Sequence, residues 1–486
     1  MSQNVAFERE DYVQYKKIWC LIQDCIDADV KNEKYIFPMV PTGDDEYDAE
    51  RNKAYRARAI YYNFTGRTQA GLVGQMFFRD PQLTVTPALQ HVADDADGSG
   101  VSLVDQATES SGLAISKGRY GLLVDYPKRE QAATKAELAS GAVRPNILMY
   151  KPEQIINWRT SRVGRFLRLT LVVLKEDYLD ADDGFQEVCK VQYRVLRLTP
   201  KGYTMEIYRY ADEVAERKKE LSQTEESLVL DSTGKPWKEI PFIIGGVTNN
   251  DPEIDNPPLY PLAELNIGHL RNSADYEEAL HMTGQPTPWI SGITEDHKKT
   301  VMGDKPVYFG SRAMLMLPDG GQAGLLQMPD ASPLATAMEA KEKRAASLGA
   351  KLIEVSTAAT TATFTNRAAM TEDSILSKCA KNVSAAYNQA LRWCQQFIGD
   401  SGKVELEIST DYDFNKMTAQ ERQILIAEWQ AGGITDAEYR WNIRRSGIGY
   451  EPDKEWEKWK ALKDAEEGPD LDDEDNPDDP TDPDTK

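Results

Sequence analysis

The sequence predicts a mixed α+β fold, and three observations carry that prediction. Two amphipathic helical patterns flank a Pro/Gly-rich insert between Pro258 and Glu354. Period-two alternation recurs from about Asn146 to Val247, which marks an antiparallel, half-exposed sheet. Apolar residues at spacings of three and four, from Leu376 through Cys379, Val383, Tyr387, Ala390 and Cys394 to Phe397, mark one very long helix. At 486 residues the chain has room for two or three domains and a sizeable buried core.

Taken in order, Phe7 to Ala28 patterns as an opening amphipathic helix, followed by a Pro/Asp-rich loop to Asp48. Tyr55, Ala59, Tyr62, Ala70, Val73 and Phe77 then recur at helical spacing, with Asn63 to Gly66 as a break and Arg79, Asp80 and Pro81 as the stop. GRYGLLVDYP, Gly118 to Pro127, reads as a short apolar strand, and a mobile charged linker around Lys128 to Gly141 leads from it to LMYKPEQIINWR. Leu167, Leu169, Leu171 and Val173 alternate with Arg168, Thr170 and Val172, and Cys189, Val191, Tyr193 and Val195 with Lys190, Gln192 and Arg194. YTMEIYRY and EIPFIIGGV add two strands, and AERKKELSQTEES between them reads as a charged surface excursion.

In the central stretch, Leu262, Leu265, Leu270, Ala274 and Leu280 form the apolar positions of a first helix, with Pro261 in its first turn and Gly284 as its stop. Ser332 and Pro333 open a second helix, whose stripe of Leu334, Met338, Ala345, Leu348 and Leu352 lies opposite Lys341, Glu342, Lys343 and Arg344. Between them, runs such as VYFG and AMLML in Gln285 to Ala331 read as strands and turns. VSTAATTATFTNRAAM is small and Thr/Ala-rich, which predicts a mobile loop before the long helix, and Gly399 ends that helix. VELEISTDYDF alternates like a strand returning to a sheet. Thr418 with Glu421 and Thr435 with Glu438 are capping boxes, opening short helices that end at Gly432 and Gly447. The last residues, Ala465 to Lys486, hold eight Asp, three Glu and four Pro against one Lys, a composition that predicts disorder.

The chemistry-bearing motifs are missing. No run of about eighteen apolar residues and no apolar leader core occurs, so the expectation is a protein of the producing cell's cytoplasm with no membrane partner. The five cysteines, Cys20, Cys25, Cys189, Cys379 and Cys394, form no CxxC pair and sit inside apolar patterns, as small buried hydrophobes do. His269 and His281, twelve apart on one helix, lie about 120° around it and form no metal pair. In HVADDADGSG, Asp95, Asp97 and Gly98 match calcium-loop positions, but Ala93 and Val104 stand where the first ligand and the bidentate carboxylate belong. Asp125 lacks a partner, and Asp411 with Asp413 lack a third ligand for a nuclease centre. GxxxxGK[ST], GxGxxG, GxSxG and HExxH are all absent. The expectation is a scaffold with no catalytic residues, metal or cofactor.

A net charge of −22 argues against a gripped nucleic acid but suits a channel in which a duplex must slide, since an acidic lining repels phosphate. The order of parts resembles the portal proteins of tailed bacteriophages. The wording resembles the portal subfamily long catalogued as a phage domain of unknown function, in RNKAYRARA with LVGQMFFRDP, GRYGLLVDYP, YKPEQIINWR, EIPFIIGG, PPLYPLAELNIGHLRNSADYEEALH with PTPWISG, and LGAKLIE. The resemblance covers roughly Tyr35 to Trp459, and PPLYPLAELNIGHLRNSADYE is its specific part.

That resemblance implies a homo-oligomeric ring, usually a dodecamer, at a unique capsid vertex, serving double-stranded DNA packaging and ejection. It implies a virion location, the host cytoplasm during assembly, and as partners the terminase, the major capsid and scaffolding proteins and a head–tail adaptor. By family order, residues 1–257 are N-terminal helices and wing sheet, 258–284 the first stem helix, 285–331 the clip and 332–354 the second stem helix. Residues 355–370 are then the tunnel loop, 371–416 the long wing helix with its returning strand, 417–464 the helical crown and 465–486 the disordered acidic tail. DNA proximity falls on the loop residues Thr357, Thr360, Thr361, Thr363, Thr365 and Asn366, whose small polar side chains brush a duplex without gripping it. Lys341, Lys343, Arg344 and Lys351 are expected at the lumen or a subunit seam, unless they pair with Glu339, Glu342 and Glu354. The clip, with Trp289, Asp296, Lys305, Tyr308 and Asp319, is the expected docking surface. The competing readings are a head–tail adaptor or minor capsid protein without a channel, and an acidic tail that mimics DNA toward a basic partner rather than solvating the chain.

Overall fold

A computed structural model describes residues 4–126, 144–210, 221–231, 233–284, 287–297, 299–300, 317, 319–326, 331–351, 375–410, 419–430, 433–435, 438–439 and 442. The chain divides into two compact units, Met1–Thr410 and Asp411–Lys486. The fold is mixed α+β, with antiparallel sheets.

The first unit opens with helices α1 (Glu10–Asp27), α2 (Asp45–Arg58) and α3 (Phe64–Met76). The expected loop to Asp48 ends sooner, because Asp44 accepts a hydrogen bond from the Tyr47 backbone N–H and caps α2. The helical spacing read across Tyr55 to Phe77 is broken at Ala59–Asn63, where Asn63 caps α3 on the Gly66 N–H. Helix α4 (Leu103–Lys117) escaped the sequence reading. It is buried on most of its surface, with Gln106, Ser110, Ser111 and Ser116 among its buried residues, so it shows no polar outer stripe to set against an inner one. Ser102 caps it and Gly118 ends it in the left-handed region.

The predicted single sheet is two sheets. Strands β2 (Arg119–Asp125), β3 (Asn146–Tyr150) and β9 (Phe242–Gly246) form an antiparallel sheet in the order β3-β2-β9. Its central strand β2 is buried from Arg119 to Val124, which is why GRYGLLVDYP reads as a continuous apolar run rather than an alternation. Strands β4 (Ile155–Val163), β5 (Phe166–Asp182), β6 (Glu187–Thr199), β7 (Gly202–Tyr210) and β8 (Leu221–Leu228) form a five-stranded meander. The second half of the predicted charged excursion is therefore the edge strand β8, whose exposed Ser222, Gln223, Thr224 and Glu226 blunt the open edge. Arg194 on β6 ties the two sheets, paired with Asp125 at 3.1 Å and with Glu176 at 2.8 Å, while the Tyr150 hydroxyl donates to Glu176.

Two further helices, α5 (Tyr260–Gly284) and α6 (Ser332–Lys351), flank a two-stranded sheet of β10 (Thr287–Ser291) and β11 (Gln322–Leu326). Helix α7 (Ile375–Ile398) buries Leu376, Cys379, Val383, Tyr387, Ala390, Cys394 and Phe397, the residues its periodicity marked. Burial of each large apolar side chain contributes about 1.5–3 kcal/mol. The predicted returning strand is β12 (Glu405–Glu407), which pairs with β1 (Gln82–Thr84) rather than with either larger sheet. Asn388 on α7 holds it there, donating to the Leu406 carbonyl and accepting from the Leu406 N–H.

Among the described residues of the second unit, α8 (Ala419–Gln430) is followed by the Thr435–Glu438 capping box, closed in both directions as expected, and Trp429 stacks on Tyr439 at 4.6 Å. The charged linker at 128–141, the Thr/Ala loop at 355–370, the Thr418 cap, Asp411 with Asp413, and the acidic tail lie outside the described residues.

Candidate functional site

The candidate site is the α5–hairpin–α6 unit, and its geometry follows from which face each helix buries. Along α5, Ala263, Ile267, Leu270 and Ala274 join Ile22, Cys25, Val30, Ile36, Tyr55 and Ala59 in one core cluster, so α5 is rooted in the N-terminal helices. Asn266 lies at the centre of that contact and is fully buried. Its side-chain oxygen accepts from the Tyr61 hydroxyl at 3.0 Å, the Thr65 hydroxyl at 3.1 Å and the Thr65 N–H at 3.2 Å, and its amide donates to the Tyr62 carbonyl at 2.7 Å. Toward the solvent side, the Tyr55 hydroxyl donates to Asp275, Arg58 pairs with Glu278, and Arg271 donates to the Tyr35 carbonyl. Near the hairpin the helix becomes exposed, with Leu280 and Met282 facing solvent.

Helix α6 lies against α5, and Met338 and Ala345 are the buried members of the predicted stripe. Lys341 stands three residues after Met338 and therefore shares that side, rather than the opposite one expected for it. Its stem packs on α5 and its ammonium donates to the Gly268 carbonyl at 2.6 Å. Burial pulls the Lys341 pKa below its ordinary value, and Arg271 adds to that effect. Glu342 also turns to α5, 3.3 Å from Nε2 of the fully buried His269, whose ring lies edge-on to Tyr62 and Phe64. Burial lowers the His269 pKa against the upward pull of Glu342. Lys343 and Arg344 are exposed, and Lys351 is the last residue of α6. The structure thus ties one of the four flagged basic residues, Lys341, and its neighbour Glu342 into a helix–helix contact.

At the far end of the unit, Trp289 of β10 pairs across the ladder with Gly324 of β11. A Cβ at Gly324 would stand 2.9–3.0 Å from the Trp289 indole, so the glycine gives the ring its bed. Trp289 remains 43% exposed, and Asp296 and Asp319 are exposed beside the same strands in sequence. Lys305 and Tyr308 lie outside the described residues, as do Thr357, Thr360, Thr361, Thr363, Thr365 and Asn366.

Burial pushes the thiols up, Cys25 to about 11 and Cys379 to about 12, which keeps them protonated and poor nucleophiles. Cys189 departs from the buried expectation and is exposed on β6. Asp95 accepts from the Gly98 and Gly100 N–H groups and from Arg144, which makes HVADDADGSG a self-satisfied turn. Among the described residues no group of three or more His, Cys, Asp and Glu side chains is placed to hold a metal ion, and no helix is long and apolar enough to cross a membrane.

A family model described as a domain of unknown function (DUF4055) matches residues 258–398, from the turn entering α5 to the last residue of α7. No curated protein matches the chain. Two solved structures are similar to it: the neck of a native GTA particle computed with C12 symmetry, at 15% identity and a TM-score of 0.40 over 79% of this chain and 90% of that one, and the neck of an empty GTA particle computed with C6 symmetry, at 14% identity and a TM-score of 0.39 over 84% and 94%.

Proposed function

We propose that the chain is a portal-type ring subunit without catalytic chemistry of its own. Copies surround a channel at one capsid vertex, through which double-stranded DNA enters during packaging and leaves at ejection. The terminase docks on this platform first, and a head–tail adaptor replaces it. The α5–hairpin–α6 unit carries the reading. Two helices of 25 and 20 residues, rooted at one end in a buried core, hold a small exposed hairpin with Trp289 at the other. The segment with the most specific resemblance to portal proteins, PPLYPLAELNIGHLRNSADYE, builds α5 itself. A helix pair of about 30–40 Å suits a channel wall, and a protruding aromatic hairpin suits a docking rim.

Negative-stain imaging of the purified protein tests this directly. Rings with a central hole are expected, and compact monomers at every concentration would overturn the reading. ATP hydrolysis by the purified chain would instead make it part of the motor; none is expected.

A further inference from the structure

The five-stranded meander is electrically polar along its longest strand. At one end, the β4–β5 hairpin carries Arg159, Arg162, Arg165 and Arg168 with no acidic residue between them. At the other, β5 and β6 run on past their neighbours: pairing with β4 stops at Leu174 and pairing with β7 begins at Gln192, while β5 and β6 stay paired to Asp182 and Glu187. This two-stranded ribbon carries Asp177, Asp180, Asp182, Asp183 and Glu187, against Lys190, which pairs with Asp180 at 2.6 Å. At its tip Phe185 is 102% exposed, and Leu179 and Val188 beside it are 52% and 43% exposed. Three exposed apolar side chains gathered among carboxylates at the end of an unsupported ribbon make a candidate contact patch.

The arginine end carries a fitting receptor. A cleft of about 240 Å³ is lined there by Leu167, Leu169, Ile240, Phe242 and Trp393, together with the Arg168–Glu239 ion pair. Leu167 and the adjoining Phe166 are themselves 62% and 53% exposed. The ribbon of one chain cannot reach its own cleft. Fifteen residues of β5 separate Leu167 from Asp182, which at about 3.3 Å per residue is roughly 50 Å of continuous strand. The two complementary ends therefore meet only between copies, and a contact between two different patches of the same chain is heterologous, the kind that closes into rings.

We propose that copies of this chain associate head to tail through this sheet, the acidic ribbon of one docking on the arginine hairpin of the next and seating Phe185 in the cleft beside Trp393. The partner is a second copy, because opposite charge, an exposed aromatic and an apolar cleft stand at the two ends of β5 at a separation that forbids self-contact. The closed ring rests on the function proposed above; the pairwise contact does not.

The test uses the full-length protein and two charge-reversed variants, Arg162→Glu with Arg165→Glu, and Asp177→Lys with Glu187→Lys. The second pair spares Asp182 and Asp183, whose carboxylates accept the Gly184, Phe185 and Gln186 N–H groups and build the turn. Sedimentation velocity should show each variant alone needing at least about tenfold more protein to assemble, since like charges then face each other. An equimolar mixture should recover assembly with the two chains alternating, because reversed ends then match in both directions; this rescue excludes misfolding as the cause. Phe185→Ser should weaken assembly of the parent chain. Variants that assemble like the parent would overturn the contact while leaving a ring intact, and a parent that stays monomeric would remove the ring reading itself. Loss of duplex binding by the arginine variant with unchanged assembly would likewise overturn the contact and assign that hairpin to nucleic acid.

Discussion

Two side chains on α5 decide how firmly the helix pair is anchored, and each makes a distinct prediction. Asn266 has both its side-chain oxygen and its amide nitrogen hydrogen-bonded in a buried site, so removing it leaves the Thr65 N–H and hydroxyl without their partner, while the Tyr62 carbonyl keeps the Phe64 N–H. Asn266→Ala should cost about 3 kcal/mol, the penalty of the orphaned buried groups offset by local relaxation, measured as a shift of the denaturant midpoint at constant slope. His269 acts through pH. Its folded pKa lies below the ordinary value because the ring is buried, so below about pH 6.5 the unfolded chain takes up a proton that the folded chain resists. Stability is then complete above that pH and declines as pH falls through it. The parent should lose more thermal stability between about pH 7.5 and about pH 5.5 than His269→Gln does. Equal losses would show that the Glu342 contact compensates the buried charge.

At the scale of elements, the cross-strand packing of Tyr120 on Gly245 within the β3-β2-β9 sheet makes a third prediction. A Cβ at Gly245 would overlap the ring of Tyr120, which is fully buried and has no room to swing away. Gly245→Ala should therefore destabilise the protein by about 1–3 kcal/mol, and pairing it with Tyr120→Leu should recover part of that loss, since the double change restores volume. Why such elements were legible, or not, follows from their solvation. Helix α7 has one buried face and one wet face, and strands β5 and β6 are partly exposed along their length, so apolar and polar residues still recur there at periods of 3.6 and 2. Helix α4 and strand β2 are covered on nearly all sides, which erases the contrast that periodicity needs. Edge strand β8 is polar for the opposite reason, being exposed. The bounds of α5, the start of α6 and the Thr435 cap were readable because Pro, Gly and hydroxyl residues fix ends locally. Their mutual contacts were not: nothing in AKEKR tells which lysine reaches back to Gly268, since that depends on how α6 is rotated against α5.

For the whole molecule the sharpest consequence concerns the Thr/Ala run after α6. In the proposed ring this segment faces the duplex, and its composition is what a sliding contact requires. Thr357, Thr360, Thr361, Thr363, Thr365 and Asn366 carry no charge, so they neither attract phosphates nor displace counterions. A net charge of −22 on the chain opposes non-specific binding of DNA. Replacing Thr360 and Thr361 with lysine changes that balance in every subunit at once. Each phosphate contact steepens the salt dependence of binding by about one power of salt concentration, and the effect multiplies around a ring. A duplex that binds the wall at each step must release it at each step, and translocation slows. The lysine variant should assemble like the parent, yet the fraction of DNA-filled particles should fall at least about tenfold at low salt and recover in part as salt is raised. Substitution with tryptophan should lower filling without the salt dependence, since it obstructs by size. Filling that equals the parent's in both variants would place the duplex elsewhere and move the DNA contact away from this loop.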